Sequence, residues 1–266
     1  MLARRLGLLA AAAVLIGATV PACSARGGGP GTSRSGTSRS ARPYGTPGVR
    51  RTTRPSVGAA RVGALFSGDR PDHHFCTASI VDSPGDSVIV TAAHCVPDGA
   101  SGLVFVPGYR DGHAPYGRWP VRHVVVDPRW THGADPDYDV AFADVAAVHG
   151  RRVGDVYGGN RFGHDRGYRL PVELTGYPSA GEQPVSCGND TTRYSAGQLR
   201  IACPGFPGGT SGSPWVTDLN RHTHTGTVVG VIGGHHGGGD TPDVSYSPYF
   251  GAAVRALYRT AVRDER

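Results

Sequence analysis

From position 57 onward the chain alternates short apolar runs with turn residues. The runs are Val62–Phe66, Thr77–Val81, Ser87–Thr91, Leu103–Pro107, Val121–Val126, Val140–Val145, Val172–Tyr177, Gln198–Ala202 and Thr227–Ile232, each five or six residues long. They are too short for helices, and Gly, Pro, Asp and Asn separate them. The pattern predicts an all-β sandwich or barrel, and the 41 glycines and 21 prolines fit a fold with many turns. One stretch follows the helical period instead. Over Phe250–Arg263, the residues Phe250, Val254, Leu257, Ala261 and Val262 share one face, which predicts a single C-terminal helix. Roughly 200 residues of this kind suffice for two small barrels sharing a cleft.

The segment before position 57 differs. Residues 24–56 are mostly Gly, Ser, Thr, Pro and Arg, and Thr32-Ser33-Arg34-Ser35 recurs as Thr37-Ser38-Arg39-Ser40. So few apolar groups cannot offset the entropy of ordering, so residues 23–56 are expected to form a disordered linker. Upstream, Arg4 and Arg5 precede a largely apolar stretch of 15 residues, Leu6 to Val20. That is short for a membrane span and right for a signal peptide over residues 1–22. Val20-Pro21-Ala22-Cys23 resembles a bacterial lipobox, which makes Cys23 a candidate lipidation site; ordinary cleavage near Ala22 or Ala25 is the alternative. The expected location is extracellular or in the cell envelope, with membrane contact only through such an anchor.

Charge and cysteine content narrow the function. The formal net charge is +6, but residues 1–61 hold ten arginines and no acid, while the remainder holds seventeen arginines and twenty-one acids. The basic balance therefore describes the tail, and no basic folded face is left for nucleic acid. Five cysteines in an exported chain point to two disulfides with Cys23 left over: Cys76 and Cys95 flank one strand pair, Cys187 and Cys203 another. No CxxC spacing exists. His73-His74 and His222-x-His224 lack a third ligand, so no metal is expected.

Three segments carry candidate chemistry. Thr91-Ala92-Ala93-His94-Cys95 places a histidine after an apolar run. Asp137-Tyr138-Asp139-Val140-Ala141-Phe142 brings an acid into an apolar strand. Gly208-Gly209-Thr210-Ser211-Gly212-Ser213-Pro214 sets a serine among glycines. A serine hydroxyl needs a base within hydrogen-bond reach, and a carboxylate that fixes the base's tautomer. Glycines allow backbone amides to aim at a developing oxyanion, and Gly209 and Ser211 are the natural donors. The chain order histidine, aspartate, serine is itself informative.

These segments, with Cys76-Thr77-Ala78-Ser79-Ile80-Val81 and Thr175-Gly176-Tyr177-Pro178, resemble the chymotrypsin-like (trypsin-fold) serine proteases, and most their secreted bacterial branch. The resemblance implies two six-stranded antiparallel β-barrels over residues 57–266, with a boundary near 155–170 and the active site between them. It implies a Cys76–Cys95 bridge, His94 as base, Ser211 as nucleophile and Asp139 as the orienting acid, chosen over Asp135, Asp137 and Asp144 because it alone begins Asp-Val-Ala-Phe. Asp137 is then a solvated loop acid. Gly233, Gly234 and His235 would bind substrate as an added strand, and His235 and His236 are candidates for a polar or acid-selective pocket or for plain loop residues.

Two departures bear on activation and specificity. Thr210 stands where animal relatives carry an acid that pairs with a new amino terminus, so the activation switch is expected to be absent despite the cleavage-like Arg61-Val62-Gly63-Ala64. Residues 203–209 hold no acid, which argues against strict Lys or Arg preference. The expected function is an exported, monomeric serine endopeptidase acting on peptides or proteins without a cofactor. The rivals are a catalytically inactive surface binding module and an α/β-hydrolase, whose triad order is different and whose alternating helices are missing.

Overall fold

The structure is a computed structural model that describes residues 46–56, 58–220 and 222–265. The expected signal peptide, the candidate lipidation residue Cys23 and linker residues 23–45 lie outside the described residues. Residues 46–56, expected to belong to the linker, run along the second half of the molecule instead. Their short strand β1 (Arg51–Thr52) pairs antiparallel with Ser186 and Val185. Gly48 donates to the Ala202 carbonyl at 2.9 Å, and Thr53 to that of Pro184 at 2.9 Å. A side chain at Gly48 would lie 2.4 Å from Cys187 Sγ. Backbone pairing along a sheet edge needs no apolar side chains, so composition did not reveal it.

The first half is a closed six-stranded barrel. Its strands are β2 (Val62–Ser67), β3 (Arg70–Ile80), β4 (Val88–Thr91), β5 (Val104–Pro107), β6 (Trp119–Val126) and β7 (Ala141–Val145), ordered β2-β3-β4-β7-β6-β5. A short helix, α1 (Pro128–Gly133), joins β6 to β7, and α2 (Val153–Tyr157) leads out of the barrel. The second half holds β8 (Arg161–Phe162), β9 (Pro171–Gly176), β10 (Val185–Asp190), β11 (Thr192–Arg193), β12 (Gln198–Ala202), β13 (Pro214–Thr217), β14 (Thr227–Val231) and β15 (Val244–Pro248), followed by α3 (Ala252–Arg263). Here the expected second closed barrel is not formed. One sheet runs β1-β10-β9-β13-β14-β8 and a separate one runs β11-β12-β15.

Strand alternation sorts side chains between two cores. On β4 and β7, Ile89, Ala141, Ala143 and Val145 fill the barrel interior. Their neighbours Val88, Val90 and Phe142 face the other way, where they meet Val216 and Val228 of the second half and Val254, Leu257 and Ala261 of α3. Burial on both faces explains why β4 reads as an unbroken apolar run. The shared core lies directly behind Val140, so it anchors the segment entering β7. Each large side chain buried there is worth about 1.5–3 kcal/mol against exposure.

Arg61 is buried, and its Nη1 donates to the His224 carbonyl at 2.9 Å. The cleavage-like Arg61–Ala64 stretch is therefore packed into the fold as the entry to β2. His73 and His74 point to opposite faces of β3, one exposed and one buried, so they cannot grip one ion together. His74 lies among Phe66, Tyr109 and Tyr177 with Nε2 3.0 Å from the Gly181 carbonyl oxygen. Burial, aided by His73, lowers its pKa against the opposing pull of Gly181 and Glu182. The folded chain thus holds this proton less well than the unfolded chain. The associated stability is complete above the ordinary histidine range and is lost as the pH falls through it. Thermal melts between pH 7 and pH 5 are expected to show a smaller loss of stability in His74→Phe than in the parent chain.

Candidate active site

His94 sits in a 3-10 turn, Ala93–Cys95, at the end of β4. The Cys76–Cys95 disulfide, with Cα atoms 6.1 Å apart, fastens that turn to β3. A second bridge joins Cys187 and Cys203, Cα atoms 5.9 Å apart. Asp139 follows another 3-10 turn, Pro136–Tyr138, which Asp135 begins by accepting from the Asp137 amide at 3.0 Å. The Asp139 side chain is fully buried and accepts three hydrogen bonds. They come from the His94 amide to Oδ1 at 2.9 Å, from His94 Nδ1 to Oδ2 at 2.7 Å, and from the Gly234 amide to Oδ2 at 2.7 Å. With Nδ1 donating to the carboxylate, Nε2 is the nitrogen left to take a proton. The His94 side chain is 27% exposed, with the Trp130 ring 6.4 Å away on α1.

The other acids near Asp139 are engaged elsewhere. Asp144 pairs with Arg122 at 2.8 Å. Asp137, expected to be a solvated loop acid, is half-buried and accepts from Gln198 Nε2 at 2.9 Å. Gln198 itself is buried; it also donates to the Pro136 carbonyl at 2.7 Å and accepts from the His235 amide at 3.3 Å. It therefore ties the loop bearing Asp139 to the loop after β14. In the sequence Gln198 only opens the run Gln198–Ala202, and nothing local marks it.

Ser211 comes against β3 from the second half, and among the described residues it makes no hydrogen bond to His94. Its carbonyl oxygen accepts from the Thr77 amide at 2.7 Å, one residue beyond the cysteine bridged to the neighbour of His94. Gly212, at φ +82°, lies so close that a side chain would stand 2.1 Å from the Thr77 carbonyl oxygen and 2.2 Å from Thr91 Oγ1. Thr77 is a second residue whose part was missed. Its hydroxyl donates to the Gly209 carbonyl at 3.0 Å and accepts from the Tyr177 amide at 2.9 Å, while its carbonyl accepts from Thr91 Oγ1 at 2.8 Å. A hydroxyl inside a buried strand, next to a bridged cysteine, is the signal that could have singled it out. Among the described residues, the amides of Gly209 and Ser211 donate no hydrogen bond.

Thr210 closes the loop before Ser211 on itself. Its amide and hydroxyl both donate to the Pro207 carbonyl, at 3.2 and 2.6 Å. Beneath Ser211 lies a cavity of about 260 Å³ walled by Phe206, Pro207, Ile232 and Pro242, with Asp240 at its lining. Asp240 is mostly exposed and pairs with His236 Nδ1 at 2.6 Å. A larger cavity, about 520 Å³, lies across the disulfide and is bordered by His73, Phe75, Cys95 and Ser179.

The expected substrate segment is already bonded in part. Gly233 donates its amide to the Tyr246 carbonyl at 3.0 Å, and Gly234 gives its own to Asp139. His235 stands between the rings of Tyr194 and Tyr246, each 4.7 Å away, and neither it nor His236 lines the cavity beneath Ser211. His235, His236 and Asp240 bring one donor atom each within 4.8 Å of one another, the geometry nearest to a metal site. The other close cluster, Cys76, His94 and Cys95, has both sulfurs in a disulfide.

Residues 49–156 match the sequence model of the Trypsin family. The fold is similar to that of the protease Anisep from Arthrobacter nicotinovorans, at 27% identity over 81% of this chain and 100% of that one, with a TM-score of 0.70. It is likewise similar to the thermostable serine protease AL20 from an extremophilic microorganism, at 27% identity over 79% and 100% of the two chains, with a TM-score of 0.67. These likenesses support a chymotrypsin-like serine protease. A Glu endopeptidase shares the protease's fold at 18% identity over 83% of this chain and 99% of that one, with a TM-score of 0.64. Comparison of the protease with curated proteins finds no match.

Proposed function

We propose that the protease is an exported endopeptidase whose catalytic triad is Ser211, His94 and Asp139. The observation that carries this reading is the buried Asp139 carboxylate, 2.7 Å from His94 Nδ1 and held by two backbone amides. A carboxylate fixed in this way orients the ring and stabilises the imidazolium. His94 Nε2 takes the Ser211 proton as Oγ bonds to the scissile carbonyl carbon. The carbonyl oxygen gains the charge, and the amides of Gly209 and Ser211 receive it. His94 then returns the proton to the leaving amine, the C–N bond breaks, and water repeats the sequence on the acyl-enzyme.

The cavity beneath Ser211 would take the side chain before the cut, and its walls combine the apolar Phe206, Pro207, Ile232 and Pro242 with the carboxylate of Asp240. The larger cavity across the disulfide suits the leaving-group side. Gly233 and Gly234 form the wall facing the substrate. Two disulfides fit an oxidising compartment, which supports export, and no helix among the described residues is long and apolar enough to cross a membrane. Thr210 holding its own loop supports activity without a freed amino terminus. A fluorophosphonate probe tests the reading: the folded protease is expected to label, and Ser211→Ala to abolish labelling. A folded parent chain that takes up no probe would count against it.

A further inference from the structure

The two candidate oxyanion donors belong to the peptides 208–209 and 210–211. In a trans peptide the C=O and N–H point in opposite directions, so whatever grips the carbonyl also aims the amide. Both carbonyls are gripped, and each by a serine in the same manner. Ser179 donates its amide to the Gly208 carbonyl at 2.9 Å and its hydroxyl to the same oxygen at 3.0 Å. Ser213 donates its amide to the Thr210 carbonyl at 3.0 Å and its hydroxyl to that oxygen at 2.6 Å. The first lies at the mouth of the 520 Å³ cavity and the second is fully buried.

We propose that Ser179 and Ser213 are positioning residues that preorganise the oxyanion donors through this paired grip. The inference rests on the triad reading above. Peptide 208–209 is flanked by two glycines, whose backbones rotate with little steric resistance. Unrestrained, the peptide could turn over and present the Gly208 oxygen to the oxyanion, replacing an attractive dipole with a repulsive one. The surroundings are shaped to the grip. Gly209 sits at φ +93° with room for no Cβ, which would fall 2.3 Å from the Ser179 nitrogen. Gly176 likewise leaves space for the Ser213 hydroxyl, since a Cβ there would stand 1.9 Å from Oγ. Preorganised donors lower the transition state because no reorientation is needed as charge develops.

The test measures steady-state kinetics of the full chain with a peptide substrate, beside the affinities of a peptide aldehyde and of the matching product peptide. The aldehyde binds as a tetrahedral adduct and draws on the oxyanion donors; the product does so much less. Removing a donor outright costs about 10²–10³ in kcat, so loosening one is expected to cost about tenfold, and Ser179→Ala with Ser213→Ala together about a hundredfold. KM and product affinity are expected to stay within about twofold, while aldehyde affinity falls in step with kcat. Ser179→Thr, which retains the hydroxyl, is expected to recover most of the loss. Unchanged kcat in both alanine variants, or aldehyde and product affinities falling together, would overturn the proposal. If Ser213→Ala does not fold, Ser179→Ala at its exposed site decides alone. Activity persisting in Ser211→Ala would instead overturn the triad reading, so the two failures are distinguishable.

Discussion

Ser211→Ala and His94→Ala are each expected to lower peptide turnover by about 10⁶-fold, the scale on which loss of the nucleophile or base removes the concerted action of a triad. The fold has little reason to change in either variant. Ser211 is held through its carbonyl by the Thr77 amide, a bond that alanine keeps. The His94 side chain is partly exposed, and its turn is fastened by the neighbouring disulfide and by its own amide on Asp139. Thermal melts are expected to lie close to those of the parent chain. The double variant is expected to be no slower than either single one, because the two groups act in one step. Peptide turnover within about tenfold of the parent in either single variant would remove that residue from the mechanism.

Asp139→Asn is expected to lower turnover by about 10⁴-fold, through the wrong histidine tautomer rather than lost geometry. Unlike the first pair, it is also expected to lower stability. Both carboxylate oxygens accept amide protons: Oδ1 from His94, and Oδ2 from Gly234 as well as His94 Nδ1. Whichever way the asparagine amide is turned, its NH₂ meets a backbone donor in a fully buried site. An unsatisfied buried group of this kind costs about 1–3 kcal/mol. Steady-state kinetics with a parallel thermal melt check both effects. Near-normal turnover would return the acid's role to another carboxylate.

The strands that could be read from the chain are those whose side chains are apolar. All nine runs from Val62 to Ile232 fall on strands, and the helix after Phe250 buries Val254, Leu257 and Ala261, while Val262 is only half-buried. The strands that escaped notice are of another kind. In β15 the buried positions are Ser245, Ser247 and Pro248, and the Ser247 hydroxyl accepts from the Val231 amide at 3.0 Å. In β10 only Val185 and Cys187 face inward, and β13 follows directly on the glycine-rich loop. A buried serine carries no apolar signal; it is stable inside because a distant backbone satisfies it.

The candidate site divides in the same way. His94, Asp139 and Ser211 stood out by residue type and neighbours, and the structure pairs the first two directly. Thr77, Ser179 and Gln198 did not, because their parts are played through hydrogen bonds to residues remote in sequence; Ser213 bonds to Thr210 only three residues away, but a serine in a glycine-rich turn carries no local mark of that bond. Thr77 and Gly209 are 132 positions apart, and Gly234 and Asp139 are 95 apart.

By itself the sequence determined where the apolar strands lie, which cysteines stand near which strands, and which three side chains are chemically suited to acyl transfer. Only the tertiary structure decided that the second half forms two separate sheets, which acids are engaged elsewhere, and which way the peptides around Ser211 face. Burial of apolar side chains follows a local period that a chain displays in its own order. The direction of a hydrogen bond depends on where a distant partner comes to rest, and that is settled only when the whole chain has folded.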